Sequence, residues 1–328
     1  MLEQGIATLS QAIKSQPNFP FAQVVLGDLL TQQGKIEEAI VSYQNASYKQ
    51  INLSDPELVK KHWNPHQKPQ PDFLIPGFIK SGTSSLYNYL ISHPQILPAV
   101  DKELHFFTDF FEQELDWYLA HFPPIPASMN YITGEATPIY INFPNLAKKI
   151  FHLFPDIKII VLLRNPVERT ISSYFHQHKA SCGYKPIQDS IAETLQKIPN
   201  LLNKLPDFLL LEPSILKKYR DDYIHDALLS LLINSLYIYY LKEWLTIFPK
   251  KQFLIVKSED LFSNPSATMK QVYSFLNLPD YQMPEYHNVN PGSYPSIPAH
   301  LRHQLVEFFR PHNQKLEEYL GMKFNWDE

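Results

Sequence analysis

The sequence predicts an α/β fold, a central parallel sheet flanked by helices, with a short all-α segment ahead of it. Three short apolar runs carry the prediction: Phe73-Leu74-Ile75, the stretch IKIIVLL at 157–163, and Phe253-Leu254-Ile255-Val256. Near-continuous apolar runs suit parallel strands buried on both faces. The stretches between them are long and helical in character, including a helical stretch near 222–247, and strand–helix alternation argues for a sheet covered by helices. Residues 1–50 differ. There, small and apolar residues recur only at helical spacing: Ile6, Leu9, Ile13, then Val25, Leu26, Leu29, Leu30, then Ile36, Ala39, Ile40, Tyr43.

The helical segment shows self-similarity at an offset of about 34 residues, a tetratricopeptide period. Gly5, Leu9, Ala12 and Pro17 fall opposite Ala39, Tyr43, Ala46 and Ile51, and Leu26-Gly27 occupies the small-residue position. Residues 1–60 therefore resemble a tetratricopeptide (TPR) segment, with an ordinary helical hairpin as the plain alternative. Only about one and a half units are present, fewer than the roughly three such repeats need on their own. The segment is expected to pack on the following domain or on another copy, and to serve protein partners or self-association. Residues 61–71, polar and Pro-rich, read as a linker, and 72–328 as the main domain.

Composition narrows the classes. The 328 residues include 28 prolines and only 9 glycines, an inversion of ordinary usage, about 5% and 7%. Collagen-like and Gly-rich linker proteins are excluded, and 44% hydrophobic residues argue against disorder. A net charge of −4 offers no basic field for nucleic acid. The chain shows no run of about 18 apolar residues, so no membrane span is expected. The lone cysteine, Cys182, cannot form an intrachain disulfide. With no secretory signal read at the N-terminus, a cytoplasmic location is expected.

Ligands of such sheets sit at the C-terminal ends of strands. After the first run comes GFIKSGTSSLYNYL, with Gly77 and Gly82 bracketing four residues. A strand, a small-residue loop and a helix start present backbone N–H groups to an anion. Lys80 adds charge, and Ser81, Gly82, Thr83, Ser84 and Ser85 add donors. The spacing is P-loop-like, but the lysine stands two residues before Gly82 and Thr83 takes its usual place. After the second run, Arg164 emerges at Asn165-Pro166, and Ser172 follows two helical turns later. Arg164 offers a planar fork for phosphate oxygens; an Arg164–Glu168 pair is the structural alternative.

Together, Lys80-Ser81-Gly82-Thr83 with Leu86 and Arg164 with Ser172 resemble the sulfotransferases that use 3′-phosphoadenosine 5′-phosphosulfate (PAPS), closest to the heparan-sulfate branch. The resemblance covers 72–328. It implies that the first loop holds the 5′-phosphosulfate and that Arg164 and Ser172 hold the 3′-phosphate. It implies a transferase yielding 3′-phosphoadenosine 5′-phosphate (PAP), with no metal.

Between the motifs lies Lys102-Glu103-Leu104-His105. Glu103 and His105 share a face if that segment is extended. Alone, an E-x-H is most simply a charged loop. The resemblance implies that Glu103 is the base that takes the acceptor proton, that His105 orients it, and that Lys80 assists at the transferred group. The segment Gly134-Glu135-Ala136-Thr137-Pro138-Ile139-Tyr140 resembles a family stretch that carries a lysine where Ala136 stands; Lys80 or Lys102 is left to supply that charge. Glu135 is open to acceptor contact, capping or simple exposure. The loop Asn290–Tyr294 lacks the basic residues of relatives, leaving Gly292 and Ser293 as backbone contacts to the 3′-phosphate. His176 and His178 lack the companions of a metal site.

The acceptor is expected to be a hydroxyl or amine of a glycan, lipid or small molecule. A P-loop nucleotide kinase and a non-catalytic repeat scaffold are the competing classes.

Overall fold

The computed structural model describes residues 2–124, 129–178, 187–202, 227–289, 292 and 294–326. Cys182 and Ser293 lie outside them, as do residues 222–226 of the expected helical stretch. Its remainder forms two helices, Ala227–Ile233 and Tyr237–Ile247, parted by a turn at Asn234. No helix among the described residues is long and apolar enough to cross a membrane.

Four strands form the central sheet in the order β2-β1-β3-β4. These are β1 (Phe73–Gly77), β2 (Gly134–Glu135), β3 (Lys158–Leu163) and β4 (Phe253–Lys257). β1 pairs parallel with β2, and β3 with β4. The expected parallel α/β sheet is thus borne out, with β2 added. β1 is buried throughout and β3 nearly so. β4 ends the order and is only half covered: Phe253 and Val256 are buried, Leu254 and Ile255 partly so.

The chain divides into two compact units. The first comprises 1–74, 89–137 and 156–158. It opens with helices α1 (Leu2–Ser15), α2 (Pro20–Gln32), α3 (Ile36–Ser54) and α4 (Pro56–His62). Pro20 and Pro56 start their helices where a missing N–H costs nothing, and Asp55 caps Leu58 N at 2.9 Å. α2 packs on α3 through Gly27: a Cβ there would lie 2.5 Å from Tyr43 Cε1. Ala39, Tyr43 and Ala46 are completely buried. The Ser42 hydroxyl ties the pair through Gln23 O (2.9 Å) and Gln23 Oε1 (2.8 Å).

This hairpin also packs on the later part of the same unit. Trp117, on the short helix Leu115–Leu119, donates from Nε1 to Thr31 Oγ1 (2.9 Å), and its ring meets Tyr43 edge-on at 5.6 Å. Asp72 fixes the start of β1: its carboxylate accepts from Thr133 N (2.8 Å) and its carbonyl from Lys158 N (2.9 Å).

The second unit comprises 75–88, 138–155 and 159–328. Gly77 is obligatory there, because a Cβ would approach Ile141 Cγ2 to 2.1 Å. Phe78, fully buried, packs against Tyr237 at 4.6 Å, and its N–H donates to Leu162 O (3.3 Å). The chain therefore leaves β1 and β3 side by side, which sets the site.

Candidate active site

In the second unit, the loop after β1 turns sharply into the helix Thr83–Ile91. Gly82 has φ 94° and sits against Phe262, 2.8 Å from where a Cβ would stand. The bond from Leu86 N to Gly82 O (3.0 Å) opens the helical ladder, so the N–H groups before it point out of the helix end. Ser258 donates to Ser81 O at 2.6 Å, and Ser85 Oγ donates to Asn288 Oδ1 (3.3 Å) while accepting from Val289 N (3.1 Å). The Ser81 hydroxyl is buried without a hydrogen-bond partner.

Arg164 lies beside this loop. Its Nη1 donates to Lys80 O at 3.0 Å, and its Nη2 reaches Tyr294 OH at 3.4 Å. Its own carbonyl accepts from Tyr237 OH (2.8 Å). The Arg164–Glu168 pair is therefore displaced: Glu168 pairs with Arg302 instead. Asn165 Oδ1 accepts from Val167 N (2.9 Å) and Glu168 N (3.3 Å), starting the helix Pro166–His178 that carries Ser172. Ser172 is buried, and a Cβ on Gly292 would lie 3.8 Å from its hydroxyl. Ser173 Oγ is buried without a partner. The two strand ends and Gly292 are thus brought together. Tyr294, stacked on Phe175 at 5.5 Å, joins them; an aromatic among prolines gave no sequence signal for its contact with Arg164.

In the first unit, the Glu103 segment is not extended. Glu103 (φ 68°) and His105 (φ 54°) are both left-handed, so alternation does not align them. They approach by the double reversal instead, with His105 Nε2 3.9 Å from Glu103 Oε2 and His105 Nδ1 3.5 Å from Asp109 Oδ2. Lys102 pairs with Glu103 through its ammonium. Glu103 N donates to Ala136 O (3.2 Å), and His105 N to Thr137 Oγ1 (3.5 Å).

Glu135 is fully buried, not exposed. Its carboxylate accepts from Tyr118 OH (3.0 Å) and Thr137 Oγ1 (2.5 Å), which satisfies the charge and fixes Thr137 under His105. Ala136 is buried too, and its carbonyl serves Glu103.

Lys80, at φ 66°, shares the left-handed backbone of Glu103 and His105. The other non-glycine residues of this kind among those described are Asn277 and Asn325. Asparagine and histidine are the residue types that tolerate this region; lysine and glutamate do so less readily. Such strain clusters at active sites.

A parallel sheet with a P-loop-like turn after β1 and an arginine at the end of β3 defines a sulfotransferase fold. The chain belongs to the sulfotransferase domain family, whose profile matches residues 70–289. It is 30% identical over 291 residues to the human protein named heparan sulfate glucosamine 3-O-sulfotransferase 6, covering 80% of this chain and 75% of that protein. It is 27% identical over 312 residues to the Dictyostelium discoideum protein named membrane-associated sulfotransferase kil1, covering 78% of this chain and 66% of that protein. A crystal structure of a sulfotransferase from Alicyclobacillus acidocaldarius shares the fold, with a TM-score of 0.62 at 24% identity over 79% of this chain and 99% of that one.

Proposed function

We propose that this sulfotransferase takes its sulfuryl group from PAPS, with the donor in the second unit and Glu103 as the base. The donor supplies the sulfuryl group, whose bond to the bridging oxygen breaks as the acceptor oxygen bonds to sulfur, the electron pair staying on the departing phosphate.

The second unit suits a doubly anionic ligand. Lys80 and the N–H groups from Gly82 to Ser85 hold the phosphosulfate end, the Ser81 N–H being given to Phe78 O (3.1 Å), and the Ser81 hydroxyl, buried without a partner, adds a donor. Arg164, Ser172 and the backbone at Gly292 hold the 3′-phosphate. Donors fixed before charge develops cost no reorganisation when it does.

Glu103 takes the proton from the acceptor hydroxyl or amine. His105 and Asp109 orient it, and Lys102 supplies beside it the positive charge that Ala136 cannot. The observation that carries the reading is the left-handed backbone at Lys80 and Glu103. Sulfuryl transfer assayed with labelled PAPS tests it: Glu103→Gln should lose about 10²–10⁴-fold in turnover while still binding PAP. Full turnover by that variant rejects Glu103 as the base.

A further inference from the structure

The N-terminal helices enclose space beside Glu103. Within the first unit, α2 and α3 face the 101–121 segment across a cavity of about 290 Å³. That lies near the lower end of the ~300–1,000 Å³ typical of small-molecule sites, room for one small group rather than a polymer. Its floor is aromatic and buried: Tyr43, Trp117 and His121. Its rim carries three carboxylates, Asp28, Asp101 and Glu103.

The hydrogen-bond inventory of these walls is one-sided. The Tyr43 hydroxyl donates to Asp28 Oδ1 (2.9 Å), and Trp117 Nε1 to Thr31 Oγ1 (2.9 Å). His121 Nδ1 faces the Trp117 carbonyl at 2.9 Å. A carbonyl only accepts, so that nitrogen carries the proton, and burial holds the ring's pKa down at about 4. His121 is therefore neutral near pH 7, and its Nε2 is an acceptor without a partner among the described residues. Asp101 Oδ1 is occupied by Lys102 N (2.7 Å). The second oxygens of Asp28 and Asp101 have no partner among the described residues. The Asp101 charge acts on Asp28, and that of Glu103 on Asp101, each adding to the upward push of burial on its neighbour's pKa. The Lys102 ammonium is engaged with Glu103.

The aromatic and histidine donors of this cavity are thus spent internally; the Gln32 amide can both give and accept, and the other polar groups on the space, the Asp28 and Asp101 oxygens and His121 Nε2, accept. Its complement is rich in donors, uncharged or cationic, with an apolar face for the rings. A sulfated or carboxylated glycan is the opposite, offering acceptors and negative charge to three carboxylates.

We propose that this cavity is the acceptor pocket and that it takes one unsulfated sugar unit, neutral or amino. Its hydroxyl or ammonium groups bond to Asp28, Asp101 and His121, and its reacting hydroxyl faces Glu103. The inference rests on Glu103 as the base. It gives the repeat-like segment a role in substrate choice, because α2 and α3 supply Asp28 and Tyr43.

The test is transfer from labelled PAPS to cellobiose, to glucosamine and to a heparin-derived sulfated disaccharide, by the full chain and its Asp28→Asn, Asp101→Asn and Asp28→Lys variants. The amide oxygen introduced by Asp28→Asn still accepts from Tyr43, so the packing survives; unchanged PAP affinity checks the fold. The wild type should sulfate cellobiose or glucosamine in preference to the sulfated disaccharide. Each of the two amide variants should raise the KM for that sugar roughly tenfold or more, the scale of a lost charged hydrogen bond, and Asp28→Lys should shift preference toward the sulfated probe. Preference of the wild type for the sulfated disaccharide, no transfer to either unsulfated sugar, or unchanged KM in both amide variants overturns the proposal. Failure of the underlying reading has a different signature, full turnover by Glu103→Gln.

Discussion

The two units contrast in the polarity of their hydrogen bonding. Around Lys80 and Arg164 the second unit presents donors: an ammonium, a guanidinium, the N–H groups from Gly82 to Ser85 and the orphaned Ser81 hydroxyl. Around Glu103 the first unit presents acceptors: three carboxylates and the His121 lone pair over an aromatic floor. One surface suits an anion, and the other suits a group that must give up a proton. A transferase of an anionic group needs both; on the donor side the Glu259 carboxylate beside Arg164 is engaged, accepting from Asn165 N (2.7 Å).

The strongest break of this contrast is at the base. Glu103→Gln removes the one acceptor that must change protonation state, and its expected loss of about 10²–10⁴ in turnover is the largest effect here. Next is Arg164→Ala. It removes a charged donor and unlocks the Lys80 carbonyl, so PAP affinity should fall roughly 10- to 100-fold, as for a lost charge-assisted bond of about 1.5–3 kcal/mol. Calorimetric titration with PAP measures it, and the acceptor KM should move little. Third is Gly27→Val, which pushes two methyls and a Cβ into the Tyr43 ring. Overpacking should cost about 1–3 kcal/mol of stability by denaturant unfolding, and the cavity should lose acceptor binding before the second unit loses PAP binding.

The most gradual effect, spread over pH instead of set by one substitution, is pH dependence. His121 is buried, and its folded pKa of about 4 lies below the ordinary 6.5. The unfolded chain therefore takes up a proton first as pH falls. Its stabilising contribution is complete above about pH 6.5 and is lost as pH drops toward 4, at up to ~1.4 kcal/mol per pH unit. Thermal unfolding of the wild type should decline more steeply across that window than that of His121→Gln.

The donor side was legible in the sequence because it is local. IKIIVLL announces a doubly buried strand, Arg164 follows it directly, and Ser172 lies on the next helix. Gly77-to-Gly82 spacing announces the loop, although only the structure shows Arg164 locking onto Lys80. β2 was illegible: two residues, Gly134 and Glu135, form no apolar run. Glu135 defied its chemistry because Tyr118 and Thr137, from different segments, satisfy its charge. Glu103 and His105 would share a face only in an extended segment; the chain instead reverses twice through left-handed residues, a conformation that glutamate does not advertise. The cavity was least legible of all. It joins Asp28 and Tyr43 of the helical segment to Asp101 and His121, residues whose partnership exists only once α2 and α3 pack on Trp117.

The central claim is that the Lys80–Arg164 surface binds the 3′-phosphorylated sulfuryl donor. Calorimetric titration of the full chain with PAP and with ATP·Mg, repeated on Arg164→Ala, tests it directly. PAP should bind saturably and weaken at least tenfold in Arg164→Ala, about 1.4 kcal/mol, with ATP·Mg binding far more weakly. Binding of ATP·Mg without PAP, or PAP affinity indifferent to Arg164, would contradict it.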